Sequence, residues 1–559
     1  MASPNPGGGD ETPQEKASQP AQPQGRKQGK RPHNSHGHGR KPSKLRKKEK
    51  PAQEGSYEEV LLADVQALFG AQKISEGAPG EASPLPEQGT EIEVDVVEIS
   101  STGDGLAKQH GSNHVYVVPF SVPGDTVRVK VYRHLPKEGY TATDFISVVK
   151  PSPLRDDSRI QCKYFAKCSG CQFQMLDYAE QLRLKKKIVI KAYRNFSQLP
   201  PELVPEVLDT IGSPLQYSYR TKLTPHFDGP PNQTRRGPKV PFTERPAIGF
   251  TPKATRKVLD IEDCPIATHA VRKGLQDERK RLETEIVKYT KGATILLRES
   301  TQRILKTEAN NSPAEARGDI IPADAICVET DHYVDYKTCI TDNNATSTEY
   351  IDNFIFTNPA GSFFQNNNSI LSPFSAYIRQ HILPPNPPAE AKPIRTLIDA
   401  YSGSGLFTIT QSALFPGGSI GIDIADKSIA FARRNAVLNG LAETQCRFIA
   451  ADAPELFKSV SAYDPDETVV VLDPPRKGCD TGFLRQLLRF APRRVIYVSC
   501  NVHTQARDVG VLVRGEVDGQ TIANKEKKVR YEIESLRGFD FFPQTGHVEG
   551  VAVLNRVNG

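Results

Sequence analysis

Apolar and polar side chains alternate in two short stretches of the N-terminal third of the chain. Residues 91–97 and 126–131 follow this alternation, as expected for strands with one buried face. Turn-forming residues separate the stretches at 103–105 and 122–125. Short strands at this spacing predict a small β-barrel, and barrels of the OB type bind oligonucleotides. Alternation alone does not distinguish an OB barrel from another small barrel.

The pattern changes from about residue 356, where short continuous apolar runs alternate with helical stretches. The runs are residues 396–400, 419–422, 469–472 and 495–498. Strands buried on both faces have this composition, and they occur in parallel sheets that are covered by helices. The C-terminal part of the chain is therefore predicted to be an α/β domain.

A helix is predicted over residues 177–196. Leu182, Val189 and Ala192 recur there at the spacing of one helix face. The same helix carries the basic run 185–187, which is either a solvent-exposed face or a contact for phosphate.

The patterns divide the chain into four regions. Residues 1–86 are predicted to be a disordered, basic, low-complexity tail, because its first fifty residues hold too few apolar side chains to offset the entropy of ordering. One short helix is expected within it, near residues 61–68. Residues 87–151 form the predicted barrel, residues 152–355 a mixed α+β central domain, and residues 356–559 the α/β domain.

Positive charge is concentrated in the tail. The first fifty residues hold 12 basic and 4 acidic side chains, and the other 509 residues hold 60 and 62. The body is therefore nearly neutral, and the net charge of +6 does not by itself argue for nucleic-acid binding. The basic run 41–50 is interpreted as a solubilising tail, with a nuclear address or a non-specific RNA-binding arm as alternatives.

Composition also restricts the compartment. No run approaches the roughly eighteen apolar residues of a membrane span, and the first residues contain no apolar signal segment. We expect an intracellular protein, cytoplasmic or nuclear, with a mitochondrial location left open and no membrane partner. Nine cysteines in a reducing compartment favour metal-binding or catalytic roles over disulfides.

A glycine-rich turn, DAYSGSG at 399–405, follows the first apolar run of the C-terminal domain. Glycines at this place let a ligand approach the backbone closely. Asp423 ends the next run, where a carboxylate can accept both ribose hydroxyls of a nucleoside. This pattern resembles S-adenosylmethionine methyltransferases more than dinucleotide enzymes. Asp452, after the following run, is either a contact for the adenine amino group or a helix cap.

Three further side chains are candidates for chemistry. Asp473 opens the segment DPPRKG after one apolar run, and Cys500 ends the run VIYVSC. The carboxyl ends of parallel strands form the ligand-binding edge of an α/β sheet, which places both side chains there. Glu549, near His547, has the chemistry of a general base. Taken singly, Asp473 is also explained as a strand stop and Cys500 as a small core residue.

Three linked motifs resemble the RNA 5-methyluridine methyltransferase family. They are DPPRKG at 473–478, VIYVSCN at 495–501 and DFFPQTGHVE at 540–549. FFQNN at 363–367 and the barrel, which resembles a TRAM domain, extend the resemblance over about residues 88–559. The resemblance implies a Rossmann-like class I S-adenosylmethionine methyltransferase domain, an N-terminal OB-type (TRAM) barrel and a central RNA-binding domain of mixed α+β structure.

The resemblance also implies a covalent mechanism. Cys500 matches the family nucleophile, which adds to C6 of uracil and makes C5 reactive towards the methyl group of S-adenosyl-L-methionine. Glu549 matches the base that removes the C5 proton before the cysteine is eliminated. The target base must leave its stack to reach such a pocket. The family's S-adenosyl-L-methionine positions are matched by Gln365, Tyr401, Asp423 and Asp473.

Four other cysteines form a separate motif. Cys162, Cys168, Cys171 and Cys264 have the spacing C-x5-C-x2-C plus a distant fourth thiol, which suits a tetrahedral thiolate site. The spacing resembles the iron–sulfur ligands of the bacterial ribosomal-RNA branch of the family, which implies a 4Fe-4S cluster. Zinc or four isolated thiols are the alternatives. Any cluster is interpreted as structural or as positioning RNA.

The expected activity is methylation of C5 of a uridine in RNA, first of all uridine 54 in the T-loop of tRNA. The long basic tail resembles eukaryotic, fungal-like members, and those resemble the tRNA-modifying branch. Ribosomal RNA is the alternative that the cysteines favour, and a non-catalytic tRNA-binding chaperone is the third. Tyr219, Arg220 and Lys222 resemble a family segment and are candidate RNA contacts. We expect tRNA as the partner and a monomer as the oligomeric state.

Overall fold

The computed structural model describes residues 54–73, 84–230, 239–253, 255, 257–306, 321–387, 389–524 and 527–557. The basic run 41–50 and the predictions made for it lie outside the described residues. Among the described helices, none combines the length and the apolar character that a membrane crossing needs.

The N-terminal strands close into a five-stranded barrel. In chain order they are β1 (Glu91–Ile99), β2 (Gly105–Lys108), β3 (Val115–Val118), β4 (Thr126–Leu135) and β5 (Tyr140–Lys150). Their order around the barrel is β1-β2-β3-β5-β4. Val94, Val96, Val127 and Val129 lie in one apolar core and alternate with more exposed neighbours. The barrel predicted from the alternation is confirmed.

A helix, α1 (Tyr57–Lys73), precedes the barrel. It buries Leu61 and Val65 against Leu106 and Tyr140, on a barrel face separate from the interior core. The short helix expected near residues 61–68 is confirmed, and the prediction of disorder is wrong for residues 57–73. The low apolar content of the whole tail conceals one segment whose apolar side chains find a partner surface.

The central stretch begins with α2 (Tyr178–Phe196) and β6 (Val207–Ile211). Its other elements are β7 (Lys222–Leu223), β8 (His226–Phe227), β9 (Gly249–Phe250), β10 (Leu259–Asp260), α3 (His269–Glu285), β11 (Ala293–Thr294), β12 (Leu297–Leu305), β13 (Ile326–Glu329), β14 (Tyr333–Ile340), β15 (Thr346–Ile351) and β16 (Phe354–Pro359). They form sheets of order β10-β9-β8-β11 and β13-β14-β12-β7 and the hairpin β15-β16.

The C-terminal stretch alternates helices and strands, as predicted. Its elements are α4 (Leu371–His381), β17 (Thr396–Ala400), α5 (Leu406–Thr410), β18 (Ser419–Asp423), α6 (Asp426–Leu438), β19 (Cys446–Ala450), α7 (Ala453–Ser459), β20 (Thr468–Leu472), α8 (Thr481–Phe490), β21 (Arg494–Ser499), α9 (Val502–Arg514), β22 (Glu516–Val517), β23 (Gln520–Thr521), β24 (Ala523–Asn524), β25 (Lys527–Lys528), β26 (Arg530–Phe539) and β27 (Glu549–Val557).

Eight strands form the main sheet, in the order β19-β18-β17-β20-β21-β27-β26-β6. The first five are parallel, and β27 runs antiparallel between β21 and β26. Val470 and Leu472 of β20 lie in one apolar core, and Val469 and Val471 lie in another. Burial on both faces explains the continuous apolar runs, and the predicted parallel α/β sheet is confirmed.

Two central elements pack into the core of the C-terminal domain. β6 pairs with β26 as the edge strand of the main sheet. Ile188 and Val189 of α2 share an apolar core with Val470 and Tyr497. The predicted domain boundary at residue 355 therefore separates residues that bury one another. The sequence did not show this, because helical spacing identifies α2 but not the sheet that α2 covers.

Candidate active site

Strand ends bring the candidate catalytic residues to one edge of the main sheet. β20 ends directly before Asp473, and β21 ends directly before Cys500. Ser499 pairs with Gly550 in the antiparallel neighbour, which begins at Glu549. Cys500 and Glu549 therefore lie side by side at the ends of adjacent strands, as an acid–base and nucleophile pair requires.

The Cys500 thiol is half-buried, next to two carboxyl groups and one guanidinium. Burial and the negative charges of Glu549 and Asp473 raise its pKa to about 12, although the Arg476 side chain hydrogen-bonds the sulfur and opposes the rise. The thiol is therefore protonated at neutral pH in the free protein. A nucleophilic role requires activation that accompanies substrate binding.

Glu549 and Asp473 both hold protons more tightly than ordinary carboxyls. The Glu549 side chain is buried, and its Oε1 has no hydrogen-bond partner within the described ranges. Burial and Asp473 raise the pKa of Glu549 well above its usual range, against the effect of Arg476. Burial and Asp399 raise the pKa of Asp473 to about 7. An unpaired buried carboxyl oxygen is available to accept a hydrogen bond or a proton from a ligand.

Asn501 joins the two loops that carry Cys500 and Arg476. Its amide nitrogen donates to the Arg476 carbonyl oxygen at 2.9 Å, and Thr504 Oγ1 donates to the same oxygen at 3.1 Å. Its side-chain oxygen accepts from the His503 N–H and caps α9. The candidate nucleophile is thus fixed between a strand end and a capped helix.

A buried ion pair holds the loop 540–548, which leads into Glu549. The Lys185 and Asp540 side chains are fully buried and paired, and Lys185 Nζ also donates to the carbonyl oxygens of Phe542 at 2.9 Å and His547 at 2.7 Å. Both predictions for Lys185, solvent exposure and phosphate contact, are wrong. The charge of Lys185 is satisfied inside the protein by a partner 355 residues away in sequence.

The segment proposed for RNA contact supports the same loop. Tyr219 is buried, and its hydroxyl donates to the Pro543 carbonyl oxygen at 3.0 Å, so the prediction of an RNA contact at Tyr219 is wrong. The Arg220 guanidinium lies 5.7 Å from the centre of the Phe542 ring. Lys222 Nζ donates to the carbonyl oxygens of Gly361 and Ser362, directly before the FFQNN segment, at 2.9 Å. Sequence reasoning missed this supporting role, since the partners are distant along the chain.

Asp423 is hydrogen-bonded to the glycine-rich turn. Its Oδ2 accepts from the Gly403 N–H at 3.0 Å and its Oδ1 from the Ala425 N–H at 2.8 Å. Gly403 has φ +53, and a Cβ there would meet no atom within 4 Å, so the turn borders open space. Buried Asp399 accepts from the backbone and hydroxyl of Thr408 and stabilises the turn. The arrangement fits the ribose of a nucleoside cofactor.

Gln365, Asp452 and Tyr401, the other predicted cofactor residues, lie in different surroundings. Gln365 is half-buried after β16, and the Asp452 carbonyl oxygen accepts the first hydrogen bond of α7. Tyr401 has the left-handed φ of +66, and its ring centre lies 5.2 Å from that of Phe483. Sequence reasoning missed Ile424, which is 73% exposed directly after the acidic strand end. The sequence signal for Ile424 is an apolar residue directly after the end of a strand.

A cavity of about 450 Å³ opens beside Cys500. Residues of α1 and its leading turn, of the barrel, of the central stretch and of the catalytic loops all line it. Arg476, Lys477 and Lys253 give its wall basic side chains, which suit an RNA backbone. The cavity therefore offers a place for a base that has left its stack, next to the thiol.

The four cysteines of the C-x5-C-x2-C motif lie near one another. Burial raises the pKa of Cys264 to about 12 and also raises that of Cys171, and neighbouring thiols of the set contribute to both shifts. Among the described residues, no group of three or more His, Cys, Asp and Glu side chains is arranged so that it could hold a metal ion. The described arrangement therefore favours neither bound zinc nor an iron–sulfur cluster over four separate thiols.

Comparison with known proteins shows the family. The order of the main sheet, together with the glycine-rich turn and Asp423, is typical of S-adenosyl-L-methionine-dependent methyltransferases. The family model tRNA (Uracil-5-)-methyltransferase matches residues 343–557, and the TRAM domain model matches residues 86–138. A Schizosaccharomyces pombe protein named tRNA (uracil(54)-C(5))-methyltransferase is 42% identical over 523 residues, which cover 93% of this chain and 86% of that protein. The chain therefore belongs to the tRNA (uracil-5-)-methyltransferase family.

Two further proteins are similar over most of their length. A Saccharomyces cerevisiae protein of the same name is 40% identical over 490 residues, which cover 83% of this chain and 73% of that protein. The crystal structure of Pyrococcus abyssi tRNA (uracil-54, C5)-methyltransferase in complex with S-adenosyl-L-homocysteine superposes with a TM-score of 0.54 and 24% identity. It covers 83% of this chain and all of that one, and it shows that the fold is shared.

Proposed function

We propose that this protein transfers a methyl group from S-adenosyl-L-methionine to C5 of a uridine in RNA, and that the target is uridine 54 in the T-loop of tRNA. The placement of Cys500 beside Glu549, with a cavity of about 450 Å³ open to the thiol, carries the proposal. The fungal relatives at 42% and 40% identity, both named for uracil 54 of tRNA, support tRNA over ribosomal RNA.

Cys500 is the proposed nucleophile. The Cys500 thiol gives up its proton to solvent, and its sulfur bonds to C6 of the uracil ring. The electrons of the C5–C6 double bond move through C4 onto O4, which leaves an enolate with electron density at C5. When bound, S-adenosyl-L-methionine supplies the electrophilic methyl group that C5 takes up. Burial favours the protonated form of Glu549, so this carboxyl must first lose its proton to solvent. The carboxylate then accepts the C5 proton, the C5–C6 double bond forms again, and the Cys500 sulfur leaves as a thiolate.

Two neighbours are proposed to make these steps feasible. Arg476 hydrogen-bonds the sulfur and stabilises its anionic form, which offsets part of the cost of ionising a half-buried thiol. Asp473, whose pKa is raised to about 7, is partly protonated at neutral pH. Its carboxyl can donate a hydrogen bond to the enolate oxygen at the uracil edge.

The cofactor is proposed to lie across the glycine-rich turn. Asp423 accepts the ribose hydroxyls, and Ile424 covers one face of the adenine with its exposed side chain. Gln365 and Asp452 are proposed to contact the remaining polar groups of the cofactor. Tyr401 is proposed to contribute through its backbone, because its ring packs on Phe483.

We also propose an iron–sulfur cluster at Cys162, Cys168, Cys171 and Cys264, with a structural or RNA-positioning role. The spacing of the motif, which resembles that of the iron–sulfur ligands in one branch of the family, supports it. No step of the methyl transfer involves this site. A monomeric state stays a prediction.

A tRNA transcript that contains 5-fluorouridine tests the proposed reaction. Fluorine at C5 does not leave as a proton, so an active enzyme accumulates an RNA–protein adduct that resists denaturants. We expect the adduct with the natural T-loop and none with cytidine at position 54. Cys500→Ala should abolish it, while Cys327→Ala, at an exposed cysteine, should not.

Three other results of this experiment would each contradict a different part of the proposal. An adduct with Cys500→Ala means that the nucleophile is wrong. An adduct with a ribosomal RNA fragment but not with tRNA supports the ribosomal alternative. Tight tRNA binding without adduct or methyl transfer supports the chaperone alternative.

A further inference from the structure

One wall of the cavity beside Cys500 is formed by residues that precede the barrel in the chain. Residues 54–57, which are the turn before α1 and the first residue of that helix, line it together with the catalytic loops. We refer to these four residues as the N-terminal arm. They precede the matched TRAM segment, which begins at residue 86.

Gly55 of the arm contacts the loop of the proposed nucleophile directly. Its carbonyl oxygen accepts a hydrogen bond from Asn501 Nδ2 at 3.0 Å. A Cβ at Gly55 would lie 2.4 Å from Thr504 Cγ2 and 2.7 Å from Asn501 Nδ2, and the residue has φ +67. Both the close approach and the left-handed backbone therefore require glycine at this position.

Other contacts hold the arm in place on both sides. Glu54 forms an ion pair with Arg507 of α9. The Tyr57 hydroxyl donates to the Asp104 carboxylate of the barrel, and Lys253 of the central stretch pairs with the same carboxylate. The arm is thus fixed to the barrel and to the helix that follows Cys500.

The Asn501 amide group needs the arm to be fully satisfied. It has two N–H donors, and the Arg476 carbonyl oxygen and the Gly55 carbonyl oxygen both accept from its nitrogen. Its oxygen is used to cap α9. Without the arm, the residue directly after Cys500 loses one of the three contacts that set its side-chain orientation.

We propose that Gly55 is a positioning residue for Cys500, and that attack on the base depends on the docked N-terminal arm. The inference rests on the proposed covalent reaction. A nucleophile must lie within roughly 3–3.5 Å of the atom it attacks, so a small displacement of its loop slows bond formation strongly. The arm acts through Asn501 on the loop, and tRNA binding elsewhere on the protein does not require it.

Gly55→Ala in the full-length chain tests this proposal. We expect the rate of adduct formation at saturating 5-fluorouridine tRNA to fall by about tenfold or more, with the Kd for tRNA unchanged within about twofold. Gly440→Ala is the matched control, because Gly440 has φ +68 and a Cβ there would meet no atom within 4 Å. It carries the same backbone strain without the collision, and its adduct rate should match that of the unsubstituted protein.

A double-mutant cycle separates positioning from general damage. Asn501→Ser keeps a side-chain acceptor that can cap α9 but loses the amide donor that reaches Gly55. If the arm acts through Asn501, adding Gly55→Ala to Asn501→Ser lowers the adduct rate by less than about twofold more. A full tenfold further loss in the double variant overturns the proposal, and this comparison remains valid if Gly55→Ala alone lowers thermal stability.

The remaining outcomes are also decisive. An unchanged adduct rate with Gly55→Ala overturns the positioning role, and a weakened Kd with an unchanged saturated rate shows that the arm is an RNA contact instead. Failure of the unsubstituted protein to form any adduct refutes the proposed reaction itself. The failure of this inference is therefore distinguishable from the failure of the proposed function.

Discussion

Lys185 and Asp540 form an ion pair from which water is excluded, although 355 positions separate them in the chain. Lys185 also donates to the carbonyl oxygens of Phe542 and His547. Helix α2 is thereby tied to the loop that leads into Glu549. The position of the proposed base thus depends on a lysine that does not line the cavity beside Cys500.

Lys185→Met should destabilise the protein strongly. The variant leaves Asp540 buried without its cation, and a broken buried pair costs about 3–5 kcal/mol of unfolding free energy. Urea denaturation measures the loss. Lys186→Met is the control, because Lys186 pairs with exposed Asp209 and should cost less than about 1 kcal/mol. Equal losses in the two variants would show that the buried pair contributes no more to the free energy of unfolding than the exposed pair.

Arg476→Gln should make the Cys500 thiol less reactive. Removing the neighbouring cation raises the thiol pKa further, so less thiolate is present and alkylation by iodoacetamide slows. In the unsubstituted protein the rate should rise about tenfold per pH unit between pH 7 and 9, since these values lie far below a pKa of about 12. Mass spectrometry of the Cys500 peptide reports the rate.

Lys477→Gln is the matched control for that measurement. Lys477 is the adjacent exposed cation, and it is not among the groups that shift the thiol pKa. Its alkylation rate should equal that of the unsubstituted protein. A plateau below pH 9 would mean that the thiol ionises more easily than its surroundings imply.

Glu549→Gln should stabilise the protein at alkaline pH. The folded state raises the pKa of this carboxyl, so it binds the proton more tightly than the unfolded chain, and stability falls as pH rises above the unfolded value of about 4. The variant lacks this titration and should be more stable than the unsubstituted protein at pH 8, with the gain shrinking at pH 5. Glu532→Gln, at an exposed strand position, should leave the pH dependence unchanged.

The same variant should stall the reaction after methyl transfer. A glutamine cannot accept the C5 proton, so the RNA–protein adduct should persist with ordinary uridine and withstand denaturing electrophoresis. The unsubstituted protein and Glu532→Gln should release methylated tRNA instead. Normal turnover by Glu549→Gln would exclude Glu549 as the base.

Cys168→Ala should remove iron if the proposed cluster exists. Protein purified without oxygen is expected to be brown and to contain iron, and the variant should lose both the colour and the metal. Cys327→Ala, at an exposed cysteine outside the motif, is the control. Colourless, metal-free protein would leave the four residues as ordinary thiols, and bound zinc would support the alternative site.

Strand patterns predicted much of this molecule, for a clear physical reason. Parallel strands buried on both faces leave continuous apolar runs, and residues that follow such runs share one edge of the sheet. Asp423, Asp473 and Cys500 were therefore placed correctly from the sequence. The position of Glu549 could not be predicted in this way, because Glu549 begins an antiparallel strand. Its place beside Cys500 depends on the order of strands in the sheet, which hydrophobic periodicity does not show.

Long-range partners account for what the sequence did not show. Lys185 follows helical spacing like its exposed neighbours, and only the distant Asp540 makes its burial tolerable. Tyr219 lies in a basic segment that suggests RNA contact, yet its hydroxyl serves the loop before Glu549. Helix α1 was assigned to a disordered tail because that prediction used the composition of the first fifty residues, which does not show that Leu61 and Val65 have a partner surface on the barrel.

The edge strand β6 has a consequence for synthesis on the ribosome. Val207 pairs with Leu536, which lies far along the chain and is synthesised much later. The main sheet therefore remains open on that side until β26 has been made, and β6 has no partner for its inner edge in the meantime. A nascent chain stalled before residue 530 would expose that edge, so this protein is expected to depend on chaperones from the synthesis of β6 until that of β26.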